Sequence, residues 1–97
     1  MLTSPPFRIT STALTEIRQI VDRKKIPEEY GLRLAMKGSG CSGTSFVIGF
    51  DKKKAQDDVF TLEGIDVYIE KKHLMYLFGV EVDFIENEME RGFVFNA

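Results

Sequence analysis

Cysteine is almost missing from this sequence: Cys41 is the only one in 97 residues. A lone thiol makes no disulfide within the chain and lacks the paired spacing of a zinc site, so metal chemistry through sulfur must borrow ligands from elsewhere. Histidine is equally scarce, with His73 alone. A cysteine nucleophile needs an imidazole base and an orienting partner, whereas a single histidine following Lys71-Lys72 at a helix start reads as a solvent-facing residue. No stretch approaches the ~20 consecutive apolar residues of a membrane helix. Met1-Leu2-Thr3-Ser4-Pro5-Pro6 lacks the apolar centre of a secretory signal, and the expected location is the cytoplasm. An excess of positive charge is also absent. With a formal net charge of -2 and a pI near 5.4, the chain lacks the broad basic footprint of a nucleic-acid binder. The one basic run, Lys52-Lys53-Lys54, lies between Asp51 and Asp57-Asp58 and reads as a solvated loop.

The composition that remains is that of a folded protein, 43% hydrophobic and 29% charged, outside the range in which chains stay disordered. Without internal repeats, low-complexity tracts or linkers, residues 1–97 are expected to form one domain, of a size that buries roughly 60 to 70% of its unfolded surface.

Pro5 and Pro6 bias the lead-in toward extended backbone. Leu14, Ile17, Ile20 and Val21 then recur at helical spacing, with Thr12 available as a cap and Pro27 as a stop, predicting an amphipathic helix over 12–25. The period switches to two at Leu32, Leu34 and Met36, and again at Phe46, Ile48 and Phe50, predicting two strands joined through Gly38-Ser39-Gly40-Cys41-Ser42-Gly43 as a hairpin or a tight crossover. Strands at 59–62 and 65–70 flank Glu63-Gly64, a two-residue turn signal. A short helix over 71–78 stops at Gly79, and Val80, Val82 and Phe84 restart a strand. The run Glu86-Asn87-Glu88-Met89-Glu90 reads as a turn before a last strand at Phe93 and Phe95.

The one candidate for chemistry is the sulfur of Cys41. Glycines on both sides remove bulk and free the backbone, so the thiol can be presented beside N–H groups that favour a thiolate. The same glycines also suit a tight turn around a small inert residue, and the loop alone leaves both readings open. Phosphate cradling does not fit, because no Lys-Ser or Lys-Thr follows the glycines and a strand, not a helix, comes next. Glu86, Glu88 and Glu90 supply hard oxygen donors, but alternating acids on a turn ordinarily form a solvated surface.

Gly31-Leu32-Arg33-Leu34, Gly40-Cys41-Ser42-Gly43, the aromatic strand through Phe50, Val82-Asp83-Phe84-Ile85 and Gly92-Phe93-Val94-Phe95-Asn96 together carry a resemblance. In that order they resemble the HesB/IscA family of A-type iron-sulfur proteins, over most of the chain from about Ile9 to Asn96. The resemblance implies a mainly β fold with two helices (α+β), a HesB-like β-sandwich with an N-terminal amphipathic helix. It implies a homo-oligomer that binds iron or a [2Fe-2S] cluster and passes it to apo-proteins, with assembly or client proteins as partners and no enzymatic turnover. Three cysteines carry the function in that family, one in the Gly-Cys-Ser-Gly loop and two in a later Cys-Gly-Cys. Cys41 matches the first, as cofactor and metal ligand. The sequence holds no counterpart of the other two, so it resembles a divergent member whose ligands are completed by a partner or second subunit. The alternative is a HesB-fold interaction module that binds no cluster.

Overall fold

The N-terminal helix starts one residue earlier than the expected 12–25, and its cap is Thr10, not Thr12. In the computed structural model, which describes residues 5–38 and 44–96, helix α1 spans Ser11–Lys24. Thr10 is extended, and its Oγ1 accepts from the backbone N–H of Ala13 at 3.1 Å, satisfying a donor the first turn would leave unpaired. The same hydroxyl donates to Asp83 Oδ1 at 2.7 Å. Thr12 is exposed within the first turn. At the other end Lys25 adopts a left-handed conformation and its N–H donates to the Val21 carbonyl, closing the helix just before Pro27.

The chain forms two compact units. One combines Met1–Ile26 with Leu77–Ala97. Its sheet has the order β1-β6-β7, where β1 is Arg8–Ile9, β6 is Glu81–Glu86 and β7 is Arg91–Asn96. β1 runs parallel to β6 and β7 antiparallel to it. α1 lies against β6, and Ala13, Leu14 and Ile17 share a core with Phe7, Leu77, Val80, Val82 and Phe84. Each fully buried Leu, Ile, Val or Phe contributes about 1.5–3 kcal/mol relative to its exposed state. Phe93 meets Phe84 edge-on at 5.0 Å.

The other unit, Pro27–Tyr76, is a four-stranded sheet of order β3-β2-β5-β4. β2 (Tyr30–Gly38) and β3 (Thr44–Lys52) pair antiparallel in continuous register from Tyr30↔Lys52 to Gly38↔Thr44. The connection is thus a hairpin and not a crossover. β4 (Asp57–Leu62) and β5 (Ile65–Glu70) form the second expected hairpin. Glu63 and Gly64 both have positive φ, 51° and 84°, the primed geometry that matches strand twist. β5 also pairs parallel with β2, through Leu32↔Val67, Arg33↔Tyr68 and Leu34↔Ile69. That juxtaposition puts Leu32, Leu34, Val67 and Ile69 on one face, all fully buried.

Gly31 is needed where the two hairpins meet. A Cβ there would lie 2.6 Å from Tyr68 Cε2 and 2.9 Å from the Asp66 carbonyl, so the buried Tyr68 ring occupies the space a side chain would take. The second helix is shorter than 71–78: α2 is Lys71–Leu74, followed by one 3-10 turn, Met75–Leu77. The exit at Gly79 has φ 77°, the left-handed stop expected of glycine. Both sheets are mixed, and the chain is mainly strand with two helices, as expected.

Candidate functional site

Cys41 lies outside the described residues, but the frame that carries its segment is fully described. β2 and β3 are bonded over nine pairs, and their last pair, Gly38↔Thr44, brackets residues 39–43. The Gly40-Cys41-Ser42-Gly43 motif therefore joins two strands whose ends are held side by side. A β-hairpin of this length gives the segment that joins its strands a fixed base.

The base is locked by charge. On β2, Arg33 faces away from the buried Leu32 and Leu34 and forms a two-point bond with Asp57, Nη1 to Oδ1 at 2.8 Å and Nη2 to Oδ2 at 2.5 Å. Nη2 also donates to the Lys52 carbonyl at 2.9 Å, and Nε stands 3.2 Å from Asp51 Oδ2 as an ion pair without hydrogen-bond alignment. Asp57 in turn accepts from the Lys54 N–H at 2.7 Å, and its side chain is only 1% exposed. One guanidinium thus ties β2 to the end of β3 and the start of β4. The Arg33 hydrogen bond holds the Asp57 carboxyl below its usual range, with the Lys54 N–H adding to the effect, and the guanidinium is pushed up in return. Asp51 is lowered as well, first by the Lys52 N–H and then by the Lys54 ammonium. These are bidentate, charge-assisted bonds of the strong kind.

His73 departs from expectation. It is half-buried rather than solvent-facing, its Nδ1 is shielded and has no hydrogen-bond partner among the described residues, and it lines a cleft of about 260 Å³ with Arg33, Ala35, Lys54, Asp57 and Glu70. The packing responsible is that α2 follows β5 directly, with the Lys71 N–H donating to the Gln56 carbonyl at 2.9 Å, so its first turn is drawn over the β3–β4 connection. The acidic run behaves as a solvated turn. Asn87 Oδ1 accepts from the N–H groups of Met89 and Glu90, Glu86 pairs with Arg91 at 3.0 Å, and Glu88 and Glu90 are exposed. Lys52, Lys53 and Lys54 are exposed too. Among the described residues no group of three His, Cys, Asp or Glu could hold a metal ion, and no helix is long and apolar enough to cross a membrane. In the sequence Asp51 and Asp57 stand out only as acids flanking the lysine run, and Arg33 only within Gly31-Leu32-Arg33-Leu34, with nothing to join them. A cation on the outward side of an alternating strand by itself names no partner.

The family model for iron-sulphur cluster biosynthesis matches residues 6–97. The chain belongs to that family. Its function lies accordingly in iron-sulfur cluster biosynthesis. Among curated members of the family, the iron-sulfur cluster assembly 1 homolog, mitochondrial, of Danio rerio is 36% identical over 95 residues, which is 97% of this chain and 72% of that protein. The Homo sapiens protein of the same name is 33% identical over the same shares. Among solved structures, Escherichia coli SufA, involved in biosynthesis of iron-sulfur clusters, superposes with a TM-score of 0.76 at 27% identity, over 93% of this chain and 78% of that one. IscA with the [2Fe-2S] cluster shares the fold, with a TM-score of 0.78 over 93% and 83% of the two chains at 22% identity.

Proposed function

We propose that this chain carries iron or a [2Fe-2S] cluster between assembly proteins and apo-protein clients, with Cys41 as its own thiolate ligand. The observation that supports this most is the placement of the Gly40-Cys41-Ser42-Gly43 motif between the last paired residues of a nine-pair hairpin in a member of the iron-sulphur cluster biosynthesis family. A thiolate is the form that binds iron, and glycine-flanked backbone N–H groups favour it. The whole span 1–97 works as one HesB/IscA-like domain in this reading. It binds and transfers its cargo without catalytic turnover, and the need for a free thiolate suits a reducing compartment, the cytoplasm.

Ligand number sets the rest. A two-iron cluster normally takes four protein ligands, so one thiolate per chain, or two in a homo-oligomer, leaves the site to be completed by a partner's cysteines, a small thiol or carboxylates. Anaerobic reconstitution with iron and sulfide, read by visible absorption and by iron and sulfide per chain, tests the reading. The expected result is a chromophore that Cys41→Ser abolishes without unfolding the protein. Equal iron and sulfide content in Cys41→Ser would overturn it and favour an interaction module that binds no cluster.

A further inference from the structure

We propose that the cleft beside the β3–β4 connection binds a free α-amino acid, its ammonium on Glu70 and His73 and its carboxylate on Lys54 and Arg33. The cleft encloses about 260 Å³, close to the lower end of small-molecule sites. Ala35 of β2 and Glu70 of β5 belong to its sheet side, Lys54, Ala55 and Gln56 come from the connection, and His73 comes from α2.

Two observations point to a ligand. Among the described residues, the buried side-chain nitrogens without a hydrogen-bond partner are His73 Nδ1 and Arg33 Nε, and both residues line this cleft. Buried polar atoms are nearly always paired, so the two together call for a partner that the described residues do not supply. The second observation is charge. Glu70 stands opposite Asp57 in the β4–β5 register. Arg33 and the Lys54 N–H take up Asp57, whereas Glu70 has a loose pair with Lys72, 3.8 Å away on a side chain 70% exposed, of the kind that contributes little. Water pairs a lone nitrogen but brings no cation to Glu70.

The lining selects the class of ligand. Its full charges are balanced, Arg33 and Lys54 against Asp57 and Glu70, so a ligand of one sign sets a like charge beside it, while a zwitterion meets an opposite charge at each end. An ammonium suits the Glu70 end because it donates in three directions, and a neutral imidazole accepts at Nδ1. A metal ion does not suit that end, since among the described residues no group of three His, Cys, Asp or Glu could hold one. At the other end Arg33 and Lys54 share Asp51, at 3.2 and 3.3 Å, which leaves donors for a carboxylate. Ala35 and Ala55 set no bulk against the ligand's own side chain.

The site does not depend on Cys41 as a metal ligand. The test is an NMR titration of the whole isotope-labelled chain, with each common L-amino acid added in turn to about 10 mM. At least one should shift the amides of Ala35, Gln56, Glu70 and His73 saturably. Acetate and methylamine, which carry one end each, and trimethylglycine, a zwitterion without N–H donors, should bind about tenfold more weakly or less. Glu70→Gln removes the charge and His73→Phe the ring nitrogens. Each should weaken binding by about tenfold or more, the loss of a charge-assisted hydrogen bond, with the amide spectrum away from the cleft unchanged. Saturable shifts from none of the amino acids, the result expected if water alone fills the cleft, overturn the proposal. Equal binding of acetate, methylamine or trimethylglycine overturns it too, as does affinity that survives both substitutions. Cys41→Ser, which tests the carrier reading, should bind the amino acid as wild type does, so the two readings fail separately.

Discussion

Replacing Asp57 by Asn tests the charge lock at the base of the hairpin most directly, because it removes the charge and keeps the shape. The Asp57 side chain is 1% exposed and that of Arg33 16%. The carboxylate takes three donors, Arg33 Nη1, Arg33 Nη2 and the Lys54 N–H, at 2.8, 2.5 and 2.7 Å. An amide has one acceptor oxygen, so its NH2 is set against a donor whichever way it turns. Breaking one side of a buried pair costs about 3–5 kcal/mol when the remaining charge has nothing else. Arg33 keeps Asp51 at 3.2 Å and the Lys52 carbonyl at 2.9 Å, which brings the expectation to about 2–3 kcal/mol, near the range for charge-assisted hydrogen bonds. The pH dependence gives the sharper check. The folded-state value of Asp57 is depressed below 3.8. Its stabilisation is therefore present above that unfolded value and is lost as pH falls through the lower folded one. Urea unfolding of wild type and Asp57→Asn should show the full gap at about pH 7 and a shrinking gap below about pH 4. A gap under about 0.5 kcal/mol at neutral pH, or one that does not change with acid, would refute the reasoning.

Other substitutions probe the frame. Gly31→Ala should destabilise by about 1–3 kcal/mol through overpacking, since its Cβ would lie 2.6 Å from the Tyr68 ring. Thermal melts in a Tyr68→Ala background should show a smaller penalty, with a remainder from the Asp66 carbonyl at 2.9 Å. Thr10→Ala removes the helix cap and the bond to Asp83. It should cost about 1–2 kcal/mol, a fall in Tm of roughly 4–8 °C per kcal/mol in a chain of this size, whereas Thr12→Ala should cost far less.

Elements held together by neighbours in sequence were legible before the structure. The Glu63-Gly64 turn, the α1 stripe of Leu14 and Ile17 and the alternation through Leu32 and Leu34 all appear where local pattern puts them, because each is decided within a few residues. What sequence hid is non-local. β1 is two residues, too short to show any period, and exists because Arg8 and Ile9 find β6 more than seventy positions later. The parallel contact of β2 with β5 is equally silent, since it depends on where two hairpins meet. The Thr10 cap was obscured by Ser11 and Thr12, which are equally good capping residues, until the bond to Asp83 distinguished it. His73 looked exposed from its lysine neighbours, and burial came from the β3–β4 connection beneath it.

The site divides along the same line. A candidate for its chemistry was legible, the lone Cys41 in a glycine loop, which lies outside the described residues. Its mechanics were not, because the bonds that brace the hairpin join Arg33 to Asp51 and Asp57, which no short motif connects. The two halves imply a division of labour within one strand. The N-terminal end of β3 follows the segment that holds Cys41, and its C-terminal end is fixed by Arg33 through the Lys52 carbonyl and Asp51. With Cys41 as the one thiolate of the carrier proposed above, the remaining ligands come from a partner, which is the arrangement a carrier needs if its cargo is to leave with the next protein that supplies better ligands.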